Sequence, residues 1–546
     1  MNTIPICRTS NIAGHEIRSV VAHDEPERSF ARSLSDLASA LPSQEGFARK
    51  NSSLRAVVTT PDFHPGKPVP VGVIADIEGA VLPHMIGSDI GCGMRMIVLE
   101  RVTADQLSIP DLEHHLRHVF FQGGRDIALT GMDRHAILRD GLPGLLDSLR
   151  KSSTGLLSKL DIWQTWSDLE RHSDNGVFSC EDIDPDFAEY AKIDGDHRRD
   201  AILGTIGGGN HFVELGYVDH IVDGAFARVA GLKAGSVVLV IHSGSLDFGQ
   251  RIGTATKERA KLGSNVGGDW RIISRETQSQ LYRRYLNGHA NAVNAAFANR
   301  FFIELAAVEA IARTLGHEIG HHVVYDAPHN TVWAGGEIVR HRKGACPAKG
   351  VGSMDASPYE WFGEPVILPG SMGDGTWLLA GCGAVGFLES AAHGAGRKLS
   401  RQEARSRTHT SNDLRVVGPI DPQSPTLRSR QDILGEIHAR LNEEAPGAYK
   451  SIDCVVAPMV EAGMVTKVAK IKPLVTVKGW GICKKVRAAK QQRREPAAKI
   501  PVKELHPCLR AAMGPKAAGL LLCDGAEKVA IQLTPATIEV HAYTVH

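Results

Sequence analysis

The stretch Asp89-Ile90-Gly91-Cys92-Gly93-Met94 places a carboxylate and a thiol three positions apart in a glycine-rich turn. The two glycines allow backbone conformations with positive φ, so side chains that diverge on a regular strand can converge on one point. Carboxylate and thiolate groups together are typical of a metal site. A single cysteine is more often a small buried apolar side chain than a ligand, so the metal interpretation requires further ligands elsewhere in the chain.

Three other segments each place a histidine beside a β-like apolar run and glycine or asparagine. They are Gly207-Gly208-Gly209-Asn210-His211-Phe212, Val238 to Ser245 around His242, and Val323 to Asn330 around His329. Strand ends that lead into such loops often carry reactive side chains, because the strand fixes the base of the loop. Each histidine taken singly could be a core residue. With Asp89 and Cys92 the three histidines predict five ligands, which bind either one ion through two histidines and the cysteine or two ions bridged by the thiolate.

Ordered blocks of sequence from about residue 50 to 480 carry the pattern of a known family. The blocks are Pro61-Asp62-Phe63-His64, Asp89 to Met94, Gly204 to Glu214, His242 to Ser245, His329-Asn330, His341 to Ala345, Pro369 to Gly373, His393-Gly394-Ala395-Gly396-Arg397 and Val477-Lys478-Gly479. On these residues the chain resembles the RtcB-type RNA ligases. The resemblance implies a GTP- and manganese-dependent ligase that joins RNA with a 2′,3′-cyclic phosphate or 3′-phosphate end to RNA with a 5′-hydroxyl end, in tRNA splicing or RNA repair.

The same resemblance assigns roles at the catalytic and metal positions. His393 is expected to attack the α-phosphorus of GTP and to carry GMP, which then activates the RNA 3′-phosphate, and Asp62 is expected to assist His393. Neutral imidazole suits this role because it is nucleophilic near pH 7 and its bond to phosphorus is labile. Two Mn²⁺ ions are expected on Asp89, Cys92, His211, His242 and His329, with Cys92 as the bridge.

Further positions are implied to contact nucleotide or RNA. Those expected around GTP are Asn210, Phe212, Glu214, Asn330, Ser371, Thr376, Gly394, Ala395, Gly396, Tyr449 and Lys478, with Glu214 and Lys478 on the guanine edge and Phe212 or Tyr449 stacked on the base. RNA phosphates are expected on Arg342, Lys343, Arg397 and Arg401, although basic side chains are also common on surfaces without a ligand. An activating protein such as an archease-like factor is a further expectation from the family.

One position departs from the family pattern. The family usually continues its His-Ser-Gly-Ser block with an arginine, and this chain has Leu246 followed by Asp247. An alkyl group cannot act as a bidentate phosphate donor, and a neighbouring carboxylate repels phosphate. We therefore expect GTP and metal chemistry to be kept, and the RNA end to be held differently or a different substrate to be used.

Two alternatives belong to other classes. The segment His317-Glu318-Ile319-Gly320-His321 matches the zinc motif His-Glu-x-x-His and follows a helical run from Phe301 to Leu315. Ala327 stands where one class of zinc metalloprotease needs a third histidine, and Gly316 and Gly320 weaken the helix. A zinc metalloprotease and a non-ligating RNA-binding paralogue are therefore the alternatives to the ligase.

Composition agrees with a large intracellular enzyme without deciding its activity. The 546 residues are 42% hydrophobic, which is enough for a large core. Nine cysteines without a Cys-x-x-Cys pair argue against a disulfide framework and favour the cytoplasm, and we find neither a signal peptide nor an apolar run long enough for a membrane. The net charge of +1 gives no overall signal for nucleic acid, but the runs 397–407 and 484–494 are basic.

The order of elements predicts the fold class and the domains. Strands before the reactive loops alternate with helices without a regular βαβ repeat, which favours an α+β core of packed β-sheets flanked by helices. Residues 1–479 are predicted to form the RtcB-like domain, with a peripheral helical insertion at about 135–200. Residues 480–546 are predicted to be a C-terminal extension, whose role the sequence leaves open.

Overall fold

The computed structural model describes residues 6–150, 153–263, 269–406 and 414–479 with side chains, Thr426 excepted, and beyond them the backbone of four strands. The chain divides into two compact units, Met1–Trp480 and Gly481–His546. The basic run 484–494 lies outside the described residues, as does the end of the run 397–407.

The strands of the first unit are short at its periphery and long at its centre. In chain order they are β1 (Cys7–Ile12), β2 (His15–Val20), β3 (Ser53–His64), β4 (Val71–Glu78), β5 (Ala80–Val81), β6 (Cys92–Leu99), β7 (Ala128–Leu129), β8 (Arg198–Arg199), β9 (Phe212–Ile221), β10 (Val237–Ser243), β11 (Ile273–Ser274), β12 (His321–Gly335), β13 (Ile338–Lys343), β14 (Ala345–Pro347), β15 (Pro365–Pro369), β16 (Thr376–Gly381), β17 (Ser390–Ala392), β18 (Val416–Val417) and β19 (Val465–Val477).

The helices are fewer, and one is much longer than the rest. They are α1 (Glu27–Ala40), α2 (Gln44–Ala48), α3 (Pro83–Ile86), α4 (Ile109–Phe121), α5 (Gly131–Leu149), α6 (Ile162–Ser167), α7 (Gly224–Val229), α8 (Asp247–Gly263), α9 (Ser279–Leu315), α10 (Arg401–Ser406), α11 (Gln431–Glu444) and α12 (Ile452–Glu461). The second unit contains a sheet of β20 (Ala498–Pro501), β21 (Leu520–Leu522), β22 (Glu527–Leu533) and β23 (Thr537–Thr544), in the order β20-β23-β22-β21.

A large sheet organises the first unit. Among the described residues its strand order is β1-β2-β3-β4-β13-β12-β6-β10-β9-β19-β16-β15, with β18 beside β19. The pairs are antiparallel except β2 with β3 and β18 with β19. This mixture of a mostly antiparallel sheet and flanking helices confirms the predicted α+β class.

The central strands are buried on both faces, and their alternating side chains enter two different cores. On β6, Ile97 and Leu99 pack in the core that includes α9. Met94, Met96 and Val98 of the same strand pack in a second core on the opposite face. Because neighbouring side chains of a strand point to opposite faces, a nearly continuous apolar run is what this burial requires.

Helix α9 has 37 residues and is buried all round through its middle section. It ends at Gly316, whose φ of 77° gives a left-handed cap. The His-Glu-x-x-His segment therefore does not lie on one helix, because His317 follows the cap and His321 begins β12. His321 is paired with Glu304 at 3.3 Å. This geometry lacks the two facing histidines of a zinc protease helix.

The segment predicted as a helical insertion contains most of α5, all of α6 and several short 3-10 turns. Its leucines Leu138, Leu142 and Leu145 are buried in the same core as α9. None of the described helices combines the length and apolarity needed to cross a bilayer.

We expect Gly91→Ala to destabilise the protein by packing as well as by backbone strain. Gly91 has φ +73°, and a Cβ there would lie 2.8 Å from Cβ of Ala296 on α9. Left-handed strain of about 1–2 kcal/mol and overpacking of about 1–3 kcal/mol should together lower the free energy of unfolding in urea.

The matched control is Gly316→Ala, at φ +77° with nothing within 4 Å of the added Cβ. It should lose only the strain contribution of about 1–2 kcal/mol. Equal losses for the two variants would show that the contact between the Gly91 turn and α9 is not tight.

Candidate metal centre and nucleotide pocket

Antiparallel pairing brings the predicted ligands to one edge of the central strands. Cys92 begins β6 and His242 lies near the end of β10, which pairs with β6. His211 immediately precedes β9, the other neighbour of β10. Asn330, next to His329 on β12, is the register partner of Cys92. The strands thus determine which side chains meet, and the glycine-rich loops determine how closely they approach.

The five side chains form two groups that share Cys92. Its Sγ lies 3.3 Å from Nε2 of His211 and 3.2 Å from Nε2 of His242. Nε2 of His242 lies 3.2 Å from Nε2 of His329, and Nε2 of His211 lies 3.2 Å from Oδ2 of Asp89. Within each group, Cys92-His242-His329 and Asp89-Cys92-His211, the ligand atoms all lie within 4.8 Å of one another.

This donor set fits metal ions. Bonds of about 2.0–2.3 Å to one ion leave neighbouring ligand atoms roughly 3–4 Å apart. The contacts of 3.2 and 3.3 Å between ligand atoms lie in this range. Nδ1 of His329 is buried without a hydrogen-bond partner. Burial lowers the pKa of His242 and His329 well below the ordinary value, so both rings are the neutral form that binds metals. Burial and Asp89 raise the pKa of the Cys92 thiol, so its thiolate requires a nearby cation.

His393 lies beside this centre and is held by a buried carboxylate. Nδ1 of His393 lies 2.6 Å from Oδ2 of Asp62, and the two rings of His393 and His329 are 4.7 Å apart at their centroids. Thr60 donates to the other oxygen of Asp62. Burial opposes ionisation of Asp62, but His393 and Thr60 hold its pKa below the ordinary value. A carboxylate on Nδ1 fixes the tautomer whose Nε2 keeps a free lone pair.

Two residues that sequence reasoning missed support Asp62. Nζ of Lys450 donates to the carbonyl oxygens of Pro61 and Phe63, at 2.8 and 2.9 Å. Lys450 is itself paired with Glu25, and both side chains are buried. No local motif marks either residue, because each acts through a partner far away in the chain.

Glu214 occupies a buried pocket lined by hydroxyl groups. Oγ1 of Thr376 lies 3.4 Å and Oγ1 of Thr476 3.2 Å from the Glu214 carboxyl oxygens. Burial raises the pKa of Glu214 to about 7, although both threonines oppose the shift. Thr376 was predicted by position alone, whereas Thr476 was missed; it is the cross-strand partner of Glu214 on β19.

Lys478 and Tyr449 meet at a carboxylate that the sequence did not reveal. Glu444 lies 3.1 Å from Nζ of Lys478 and accepts a hydrogen bond of 2.5 Å from the Tyr449 hydroxyl. Arg397 donates to that hydroxyl and lies over the Tyr449 ring, 4.7 Å from its centroid. The charge of Lys478 lowers the pKa of Glu444 despite burial, so the two side chains form a buried ion pair.

The loop after β17 packs closely on the segment that carries Asp62. Gly396 has φ +71°, and a Cβ there would lie 2.5 Å from the Asp62 carbonyl oxygen. The amide of Ala395 donates to the carbonyl oxygen of Pro369, and Gly394 lies in the same turn. The hydroxyl of Ser371 and Oδ1 of Asn330 are buried without a partner. Such unpaired polar atoms beside the centre are available to a ligand.

Other predicted nucleotide contacts lie around the centre at different depths. Asn210 is exposed, and the Phe212 ring is half-buried and 5.5 Å from the His242 ring. Asn330 uses its amide nitrogen on the carbonyl oxygens of Asp89 and Ile86. Asn330 therefore also holds the turn that carries Asp89.

The predicted RNA-binding cations differ in what they contact. Arg342 is buried, donates to Ser390 and lies over the Trp333 ring, so its guanidinium already has protein partners. Nζ of Lys343 donates to the Ile86 carbonyl at 2.8 Å. Arg401 is half-exposed, and its guanidinium lies beside Gly209. Arg401 is thus better placed than Arg342 to reach an external phosphate.

Leu246 adopts a left-handed backbone with φ 53° between β10 and α8. Its side chain lies against Gly207, where an added Cβ would be 2.5 Å from Cδ2 of Leu246. An alkyl group therefore covers the turn that leads to His211.

Comparison with known proteins identifies the family of this chain. The family model described as tRNA-splicing ligase RtcB matches residues 45–479. Over 449 residues the chain is 31% identical to the tRNA-splicing ligase RtcB of Thermococcus kodakarensis, covering 77% of this chain and 87% of the relative. Over 452 residues it is 30% identical to the RNA-splicing ligase RtcB of Mycobacterium bovis, covering 78% and 97%. The chain therefore belongs to the RtcB family of RNA ligases, and the predicted family is confirmed.

The raised pKa of Glu214 predicts how stability depends on pH. Between the ordinary value of 4.5 and the folded value of about 7, the folded state holds a proton that the unfolded state has lost. The contribution of this group to stability is therefore lost as pH rises through that window, by about 3 kcal/mol in total. In urea denaturation, Glu214→Gln should gain stability relative to wild type between about pH 5 and pH 8.

Glu309→Gln is the control with the opposite sign. Burial opposes ionisation of Glu309, but Lys159 and Arg313 lower its pKa, so its charge stabilises the fold at higher pH. If the stability difference from wild type changed with pH in the same direction for both variants, Glu214 would not hold a proton in this window.

Proposed function

We propose that this protein joins RNA ends that carry a 2′,3′-cyclic phosphate or 3′-phosphate to ends that carry a 5′-hydroxyl, through a histidine-GMP intermediate. The observation that carries the proposal is the position of His393. Buried Asp62 anchors its Nδ1, and its ring centroid lies 4.7 Å from that of His329, a candidate metal ligand. Membership of the RtcB family supports RNA as the substrate. The fine chemistry rests on the side chains that surround His393.

In the first step, Nε2 of His393 attacks the α-phosphorus of GTP. The new P–N bond forms as the bond from the α-phosphorus to the bridging oxygen breaks, and pyrophosphate leaves. Asp62 keeps the proton on Nδ1 and stabilises the positive charge that develops on the ring. Two Mn²⁺ ions held by the two ligand groups would neutralise phosphate charge and polarise the phosphorus centres.

In the next steps, the nucleotide moves to RNA. A terminal oxygen of the RNA 3′-phosphate attacks the phosphorus of the GMP group and breaks the P–N bond, which restores His393. The 5′-hydroxyl of the second RNA then attacks the 3′-phosphate and releases GMP, a far better leaving group than hydroxide. A 2′,3′-cyclic phosphate end first requires water to open it to a 3′-phosphate.

Glu214 and Lys478 would select guanine among the nucleobases. A carboxylate at position 214 accepts the N–H groups at one edge of guanine, and the Lys478 ammonium donates to O6. Thr376 and Thr476 already hold the Glu214 carboxyl in position. The half-exposed cation Arg401 is our candidate for an RNA phosphate.

The cellular setting is the remaining part of the proposal. The cysteines in the described part of the chain are free, which supports a reducing compartment such as the cytoplasm. An archease-like activating protein and the choice between tRNA splicing and RNA repair stay predictions from the family.

Labelling with α-³²P-GTP and Mn²⁺ tests the nucleotide step. Wild type and the exposed-histidine control His220→Ala should retain acid-labile, alkali-stable label, whereas His393→Ala should retain none. Asp62→Asn should be labelled about 10²–10⁴-fold more slowly, because the negative charge that faces Nδ1 of His393 is lost. Label on His393→Ala, or an unlabelled wild type with metal bound, would refute the proposal.

Leu246→Arg tests how the RNA end is held. Restoring a guanidinium that can make charge-assisted bonds should change the rate of end joining by about 10–100-fold while leaving guanylation within about twofold. Leu246→Met keeps an uncharged side chain and should change neither rate. End joining by Leu246→Arg at the wild-type rate on every RNA tested would show that this position does not contact the RNA end.

A further inference from the structure

Two consecutive residues in the middle of α9 touch the loops that carry the candidate metal ligands. Asn299 and Arg300 are 1% and 0% exposed, so neither is available to solvent or substrate. The two ligand groups consist of Asp, Cys and His side chains from other segments. The polar groups of Asn299 and Arg300 point to backbone atoms next to the ligands.

Asn299 connects the loop before His211 to the turn after His242. Its Oδ1 accepts hydrogen bonds from the amides of Gly204 and Thr205, at 2.7 and 3.2 Å. Its Nδ2 donates to Oγ of Ser243 at 3.0 Å and to the carbonyl oxygen of Gly244 at 2.9 Å. One amide side chain therefore fixes the spacing between two ligand-bearing loops.

Arg300 connects the two strands on either side of the shared thiol. Its guanidinium donates to the carbonyl oxygen of Gly91 at 2.8 Å and to that of Ser243 at 3.1 Å. Gly91 immediately precedes Cys92, and Ser243 immediately follows His242. Nε of Arg300 donates to Oδ1 of Asp326 at 2.9 Å, on the strand that carries His329.

A second ion pair completes a buried network. Arg95, on β6, donates to Glu304 of α9 at 2.7 Å and to Asp326 at 3.1 Å. The network has two cations and two anions, and each is at most 2% exposed: Arg95, Arg300, Glu304 and Asp326. Burying charges costs several kcal/mol each, and an apolar set of equal volume is often at least as stable. A positioning role gives a reason for ionic groups at this place.

We propose that Asn299 and Arg300 are positioning residues that preorganise the candidate metal centre, so that its affinity for divalent ions depends on them. The inference rests on the metal centre of the proposed function. Polar partners around metal ligands commonly contribute about 10–100-fold to metal affinity. Here the bonds reach the backbone beside Cys92, His211 and His242, and Arg300 extends the support through Asp326 toward His329.

The test measures divalent-metal affinity and the absorption of a cobalt–thiolate complex, without GTP or RNA. Asn299→Asp keeps the acceptor for the amides of Gly204 and Thr205. It loses the Nδ2 donor to the Ser243 hydroxyl and to the carbonyl oxygens of Gly244 and Thr205. Arg300→Lys keeps the charge but cannot span two carbonyls and a carboxylate. Each should weaken Mn²⁺ affinity by about 10–100-fold and change the cobalt–thiolate absorption.

Asn291→Asp is the matched control. Asn291 lies on the same helix with 0% exposure and also connects distant segments, accepting from the amide of Asp184 at 2.8 Å and donating to the carbonyl oxygen of Leu138 on α5 at 3.0 Å. These segments carry no candidate ligand. This variant should lower the unfolding midpoint about as much as Asn299→Asp, with Mn²⁺ affinity within about twofold of wild type.

If Asn299→Asp and Arg300→Lys fold poorly, a milder variant still tests the proposal. Ser243→Ala removes one acceptor of Asn299 and the hydrogen bond that the Ser243 hydroxyl donates to the Ile206 carbonyl. It should weaken Mn²⁺ binding by about 3–30-fold, the worth of one to two hydrogen bonds. Wild-type affinity in the Asn299, Arg300 and Ser243 variants, or equal weakening in Asn291→Asp, would overturn the inference. A wild-type protein that binds neither Mn²⁺ nor Co²⁺ through Cys92, judged against Cys92→Ser, would instead refute the metal centre itself.

Discussion

The bonds from Arg300 to Gly91, Ser243 and Asp326 are the constraint on which the candidate centre depends. The sheet register brings ligand-bearing segments to one edge, but register alone leaves their loops free to spread. A helix buried on every side supplies a rigid base against which the loops are fixed. The apolar side chains of α9 stabilise the fold, and its few polar side chains set distances between chemical groups.

The candidate ligands and His393 could be named from the sequence, whereas several residues that support them could not. The family, the α+β class and the segments with unusual glycine, cysteine and histidine content could all be recognised from local patterns. Asn299, Lys450 and Glu444 could not, because an asparagine or a lysine in a helix or loop has no distinctive neighbours, and its role exists only after distant segments meet. For Arg342 the motif suggests an RNA contact, but the motif does not show that the guanidinium is buried against Trp333.

In the candidate nucleotide pocket, the groups proposed to recognise guanine already have polar partners. Lys478 is neutralised by Glu444, and the Glu214 carboxyl shares its pocket with two threonine hydroxyls. A guanine base bound there would exchange existing polar contacts for new ones. Its affinity is therefore a difference between two well-satisfied states, and a base with the wrong pattern of donors and acceptors would leave buried groups unpaired.

The shared thiol of Cys92 has a consequence for how the centre fills. Both ligand groups count the same sulfur among their donors, and burial makes that sulfur hard to ionise. A first cation bound there would bear the cost of removing the proton from Cys92. The two ligand groups are thus linked, because a cation bound to either group would change the ionisation of a donor that both groups share.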